Sequence, residues 1–97
     1  MTTPLELSTR HDGNGTTVVT AAGEIDMSNA ARFRDALSQA GADGTDITVD
    51  LTKVNYLDSA GLTALLPYAP RIRIIATPVL APVLAVSGLD PVTTVVP

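Results

Sequence analysis

Apolar and polar residues alternate at the start of the chain, in the pattern of a strand that exposes one face. Residues 5–8, Leu-Glu-Leu-Ser, show this alternation, and a second β-rich run, marked by Val18 and Val19, ends near Gly23. The segment His-Asp-Gly-Asn-Gly between the runs supplies residues that tolerate a positive φ at a turn. The pattern predicts a β-hairpin, and the turn accounts for these glycines without a ligand.

The period then changes to the three- and four-residue spacing of an amphipathic helix. From Ser28 onward one face is apolar and the other is charged or polar, the apolar positions being Ala30, Phe33, Ala36, Leu37 and Ala40. We expect Asp26 or Ser28 to cap the start of this helix. Gly41 is expected to end it in the left-handed conformation.

Residues 47–51 alternate again and predict a third strand, from which a short loop leads into a second helix that opens at residues 58–62. Pro67 and Pro70 are expected to stop this helix early. The apolar spacing of the helices and the third strand predicts one core between sheet and helices, formed by Phe33, Leu37, Val49, Leu51, Leu62, Leu65 and Leu66.

The last third predicts a strand at residues 71–76, a third helix, and a final strand at residues 92–96. Thr77 and Pro78 are a typical cap and first-turn pair, but Pro82 would break a hydrogen bond inside a helix that began there. The helix is therefore either kinked at Pro82 or begins near it, and it ends before Gly88. This region supplies more apolar surface than one short helix needs, in Val79, Leu80, Val83 and Leu84. Either all four side chains pack in the core, or part of them forms a surface patch for a partner or for self-association.

The order β-β-α-β-α-β-α-β predicts an α/β fold with a mixed β-sheet and helices packed mainly on one side. The 97 residues fit a single domain spanning residues 1–97. A net charge of -4 and 3% aromatic residues disfavour direct nucleic-acid binding. The absence of cysteine, of a readable secretory signal and of a long apolar stretch predicts a soluble cytoplasmic protein with no membrane segment.

Most catalytic and ligand-binding patterns are missing. Leu57 stands where the G-x-S-x-G motif of a serine hydrolase has its first glycine, and the single histidine, His11, falls in the predicted hairpin turn as a solvated residue. One histidine and scattered acids do not make a metal site, and no phosphate-binding loop is present. We therefore expect no metal, no cofactor and no enzymatic activity.

The segment around Ser59 remains as the candidate site, because it lies near the predicted start of the second helix. Free N–H groups and the helix dipole favour a negative charge there by roughly 0.3–1 kcal/mol. The residues alone leave two interpretations open. Either Asp58 or Ser59 simply caps the helix, or Ser59 is a phosphorylation site.

Three blocks make the chain resemble the STAS family, specifically the bacterial anti-sigma factor antagonists. The blocks are Gly-Glu-Ile-Asp at residues 23–26, Val-Asp-Leu at 49–51 with Leu-Asp-Ser-Ala-Gly-Leu at 57–62, and Val-Ser-Gly-Leu at 86–89. The resemblance implies that an anti-sigma factor with serine kinase activity phosphorylates Ser59 and that a serine phosphatase reverses the reaction. The unphosphorylated protein would hold the anti-sigma factor and free a sigma factor, and the phosphorylated protein would release it.

The resemblance also implies a set of partner-binding residues, in which Asp58 flanks the acceptor and Asp26 shapes the nearby surface: Asp26, Asp58, Ser59, Ala60, Gly61 and Leu62. The sequence departs from the family at Ala60, where a second Ser or Thr is frequent, in its short second helix, and at its end, where many relatives have a further helix. A STAS scaffold that binds a protein or nucleotide without phosphorylation is therefore the first alternative. An enzyme that uses Ser59 is the second, and the oligomeric state is left open.

Overall fold

The computed structural model describes residues 4–97. Residues 1–3, which belong to the N-terminal segment without a readable secretory signal, lie outside this range. Five strands form one sheet in the order of the sequence. The first two strands pair antiparallel, and each later strand is parallel to its predecessor. The strands are β1 (Glu6–His11), β2 (Thr16–Ile25), β3 (Asp46–Leu57), β4 (Ile72–Ala76) and β5 (Thr93–Val95).

Three α-helices connect the parallel strands, so the predicted element order and the mixed sheet are confirmed. They are α1 (Ala30–Ala40), α2 (Ser59–Leu65) and α3 (Ala81–Val86). Two short 3-10 helices, Leu66–Arg71 and Asp90–Val92, precede β4 and β5. Among residues 4–97 no helix has the length and apolar character needed to cross a membrane.

The core lies on one face of the sheet, as predicted. From Val19 onward alternate residues of β2 are buried, and in β3 the spacing of buried residues becomes three at Leu51, Val54 and Leu57. Two register shifts against β2 cause this change, because each adds one residue to β3 and so turns the next side chain back to the same face. Buried residues of all three helices join these side chains in one cluster.

Six of the seven predicted core residues are buried, and Leu66 is the exception. Phe33, Leu37, Val49, Leu51 and Leu65 are fully buried and Leu62 is 9% exposed, whereas Leu66 is 44% exposed. The α-helical period that placed Leu66 in the core ends at Leu65, where the chain enters a 3-10 helix. The tighter 3-10 turn changes the direction of the next side chains.

The predicted ends of the first helix need correction. It begins at Ala30, and neither Asp26 nor Ser28 supplies a side-chain cap, because the residue at the N-cap is Asn29 and its side chain bonds elsewhere. Gly41 does follow the helix, but its φ of -100° is not left-handed. Arg71 instead reaches the Gly41 carbonyl oxygen, which accepts from its Nη1 at 3.0 Å.

The third helix follows the second of the two predicted courses. It begins at Ala81 with Pro82 in its first turn, where no intrahelical N–H is needed, and it ends at Val86. Leu80 and Leu84 are buried in the core, while Val79 is 71% exposed. The predicted apolar patch is therefore only partly exposed, and its use in association stays a prediction.

Candidate functional site

A single residue, Asp58, connects β3 to α2, in place of the short loop predicted from the sequence. Its backbone N–H donates to the Ile25 carbonyl oxygen at 3.2 Å, so the junction is attached to the end of β2. Its carboxylate Oδ1 accepts from Ala60 N at 2.9 Å and from Gly61 N at 3.3 Å. Of the two caps that the sequence offered, Asp58 is therefore the N-cap of α2, and phosphorylation of Ser59 stays a prediction.

Ser59 is the first residue of α2 and its side chain is exposed. Within the described part of the chain, its hydroxyl takes part in no hydrogen bond, because the capping role belongs to Asp58. The Ser59 carbonyl oxygen accepts from Thr63 Oγ1, one turn later, at 2.8 Å. An accessible hydroxyl with no competing bond can enter the active site of another protein.

Gly61 allows α2 to lie directly on the ends of β2 and β3. A Cβ at this position would collide with Leu57 Cδ1 and lie 2.9 Å from Ile25 Cγ2. Gly61 is buried, as is Leu62, whose side chain joins the core. Gly61 and Leu62, which were expected to bind a partner, are therefore buried, and they pack the first turn of α2 against the strand ends and the core.

The loop between β2 and α1 forms the other half of this edge of the sheet. Asp26 Oδ1 accepts from the N–H and the hydroxyl of Ser28. Asn29 Oδ1 accepts from Asp26 N at 2.9 Å, and Asn29 Nδ2 donates to the Glu24 carbonyl oxygen at 2.9 Å. Asn29 was missed in the sequence, where the only signal was an Asn three residues after an Asp, a spacing typical of a side-chain-bonded turn.

Asp26 and Asp58 follow neighbouring parallel strands, whose last residues Ile25 and Leu57 are paired. The structure therefore brings the two predicted acidic residues to the same carboxyl edge of the sheet, beside Ser59. Residues 24–31 and 55–65, at and after these two strand ends, contain no Lys or Arg. The charged residues of these two segments are all acids, so the segments offer no cation to a phosphate on Ser59.

Ser59 lies on the exposed surface of the protein. Two depressions of about 260 and 210 Å³ lie elsewhere, at the beginnings of β3 and β4 and on the outer face of β1 and β2. His11 ends β1, where it bonds Thr17 at the start of β2, at the opposite end of that strand from Ser59. Within residues 4–97 no three His, Asp or Glu side chains are grouped as metal ligands.

Comparison with known proteins identifies the family. A family model described as "Mlab, STAS domain" matches residues 8–96. The chain belongs to the STAS domain family. This membership confirms the resemblance drawn from the three sequence blocks.

The relatives are named as regulators. The chain is 37% identical over 62 residues to the anti-sigma-F factor antagonist RsfB of Mycobacterium tuberculosis, in strains CDC 1551 / Oshkosh and ATCC 25618 / H37Rv. These 62 residues cover 63% of this chain and 51% of RsfB. The matched segment thus spans about half the length of these curated relatives.

Solved structures show the same fold. An anti-sigma factor antagonist from Mycobacterium paratuberculosis superposes with a TM-score of 0.82 at 26% identity, covering 97% of this chain and 86% of the other. The unphosphorylated form of the anti-sigma factor antagonist SpoIIAA gives a TM-score of 0.78 at 20% identity, covering 95% and 89%. The phosphorylated form of SpoIIAA, a Bacillus cell fate determinant, gives 0.73 at 20% identity, covering 95% and 92%.

Proposed function

We propose that this protein is an anti-sigma factor antagonist, a non-enzymatic protein that binds an anti-sigma factor when Ser59 is unphosphorylated and releases it when Ser59 is phosphorylated. The observation that carries the proposal is the exposed, unbonded hydroxyl of Ser59 directly after the Asp58 cap. The name of the RsfB relatives supports the class of partner. SpoIIAA, which has the same fold, has been solved with and without phosphate.

The switch acts through charge at the surface. Phosphorylation adds about -1.5 to -2 charges at Ser59. Asp58 already occupies the N–H groups of Ala60 and Gly61, so the first turn of α2 has little left to offer a phosphate. With no Lys or Arg in the two edge segments, the phosphate stays hydrated and exposed. A partner shaped for a neutral hydroxyl would have to remove that water, which is costly without cations of its own.

The proposal assigns the chemistry to the partners. An anti-sigma factor with serine kinase activity transfers the γ-phosphoryl group of ATP to Ser59 Oγ, which loses its proton as ADP leaves. A serine phosphatase hydrolyses the phosphoserine with water to serine and inorganic phosphate. The STAS protein supplies the acceptor and the binding surface and needs no cofactor. It acts in the cytoplasm, where sigma factors associate with RNA polymerase, and has no direct contact with nucleic acid or membrane.

A STAS scaffold that binds a protein or nucleotide without phosphorylation is the alternative, favoured by the short second helix, which has seven residues. An enzyme that uses Ser59 is disfavoured because His11 lies at the far end of β2, and because Ser59 is exposed and lines neither of the two depressions described above. Hydrolase assays of Ser59→Ala beside wild type address that possibility directly.

The deciding experiment is a pull-down with wild type, Ser59→Ala and Ser59→Glu as baits, with captured proteins identified by mass spectrometry. We expect wild type and Ser59→Ala to capture an anti-sigma factor with an ATP-binding kinase domain. Incubation of that protein with ATP and each bait, followed by phosphopeptide mapping, should place phosphate on Ser59 alone. Binding without any phosphorylation would support the scaffold and refute the switch.

A further inference from the structure

The loop beside Ser59 presents one large apolar side chain to solvent. Met27, at the tip of the β2–α1 loop, is 82% exposed. Single exposed apolar residues are common on protein surfaces and need no function by themselves. Met27 differs because its backbone is held in a bonded loop and because that loop adjoins the proposed phosphorylation site.

The bonds that hold the loop come from both of its ends. Asn29 accepts from Asp26 N and donates to the Glu24 carbonyl oxygen, both at 2.9 Å, and so closes the loop across its base. The Asp26 carboxylate accepts from the N–H of Ser28, at 2.9 Å. A side chain presented from an ordered loop loses less conformational entropy on binding than one on a mobile loop.

The neighbouring helix continues this surface. Ser59 and Thr63 lie at positions i and i+4 of α2, and both are exposed. Leu66, which is 44% exposed, follows α2 in the 3-10 helix and is a further exposed apolar side chain. The exposed face of α2 thus begins at Ser59, next to the strand end that the Met27 loop follows.

We propose that Met27 is the affinity anchor for the anti-sigma factor, inserting into an apolar pocket of that partner, and that Asn29 is the positioning residue for Met27. The inference rests on the proposed function and deepens it by separating two roles. Met27 contributes apolar contact area, whatever the phosphorylation state. Ser59 contributes the charge-dependent discrimination.

The separation has a quantitative consequence. Methionine is uncharged and flexible, so its contact energy depends on buried area and packing. Its loss should weaken binding of phosphorylated and unphosphorylated protein by the same factor. In the phosphorylation reaction, the loss of such uniform binding in Met27→Ala should raise KM and leave kcat unchanged. A residue that acted through the phosphate would instead change the ratio of the two affinities.

The test uses the anti-sigma factor captured and identified in the pull-down, purified and titrated against each variant by calorimetry. Met27→Ala should weaken binding about tenfold, as expected for an interface anchor, and Met27→Leu should restore most of the affinity. Val86→Ala removes a side chain that is 89% exposed on α3 and should bind like wild type. The affinity ratio between phosphorylated and unphosphorylated forms should be the same for Met27→Ala and wild type.

A double-mutant cycle tests the role of Asn29. Asn29→Ala should weaken binding in the wild-type background and have no further effect in the Met27→Ala background, because the proposed role of Asn29 is to position Met27. Additive losses would overturn the positioning role, and wild-type affinity of Met27→Ala would overturn the anchor. A changed affinity ratio in Met27→Ala would overturn the separation of roles. Failure of the wild-type bait to capture any anti-sigma factor would instead refute the proposed function, and the inference with it.

Discussion

The backbone N–H of Asp58 donates to the carbonyl oxygen of Ile25 at 3.2 Å and joins the ends of β2 and β3. This bond makes one surface from two segments that are more than thirty residues apart in the chain. The Asp26 loop follows one strand end and Ser59 follows the other. The predictions below test how this edge is built and how it acts.

The Asp58 cap can be tested by Asp58→Ala. Loss of the bonds to Ala60 N and Gly61 N should lower the free energy of unfolding by about 0.5–2 kcal/mol. Asp58→Asn should lose much less, since Asn is also a strong N-cap and keeps an acceptor oxygen. Urea titrations followed by circular dichroism measure both. Equal losses in the two variants would contradict a capping role and indicate a need for the charge itself.

Gly61→Ala should damage the packing of α2 on the strand ends. The new methyl group would meet Leu57 Cδ1 and Ile25 Cγ2, so either the side chains or the helix must move. Overpacking of this kind costs typically about 1–3 kcal/mol.

Thr63→Ala is the matched control on the exposed side of α2, where no packing is disturbed and only the bond to the Ser59 carbonyl oxygen is lost. It should change the melting temperature much less than Gly61→Ala. A fully stable Gly61→Ala variant would mean that α2 does not need close contact with the sheet.

Two leucines that the sequence pattern assigned to one core should respond differently to truncation. Leu51 is fully buried, so Leu51→Ala should cost on the order of 2–5 kcal/mol. Leu66 is 44% exposed, and Leu66→Ala should stay within about 0.5 kcal/mol of wild type. Thermal unfolding of both variants under one set of conditions decides this. Similar large losses would place Leu66 in the core.

Phosphorylation of Ser59 should leave the fold nearly unchanged and strongly weaken binding of the anti-sigma factor. The repulsion from Asp58 is partly screened at an exposed position, so the melting temperature should fall only slightly. Ser59→Ala should bind the partner and resist phosphorylation, while Ser59→Glu should fold normally and bind poorly. Equal affinity of the phosphorylated and unphosphorylated forms would refute the mechanism, because a modification without differential affinity cannot shift an equilibrium.

The amino-acid sequence by itself determined the element order, the one-sided core and the position of the candidate site. Periods of two and of three to four residues are local properties of strands and helices, and they were sufficient to place Phe33 and Leu37 in the core. Pro82 is similarly local, since its ring restricts where a helix can begin. The motif around Ser59 could be recognised because its residues are contiguous.

Only the tertiary structure decided how the site is assembled. The length of β3 and the buried position of Gly61 depend on β2, and the exposure of Leu66 depends on the change to a 3-10 helix. Asn29 has only a weak local signal, its spacing from Asp26, and its two bonds, to Asp26 N and to the Glu24 carbonyl oxygen, form only once the strand and the loop are placed. Register shifts and the pairing of parallel strands are interactions between segments distant in sequence, so local periodicity does not encode them.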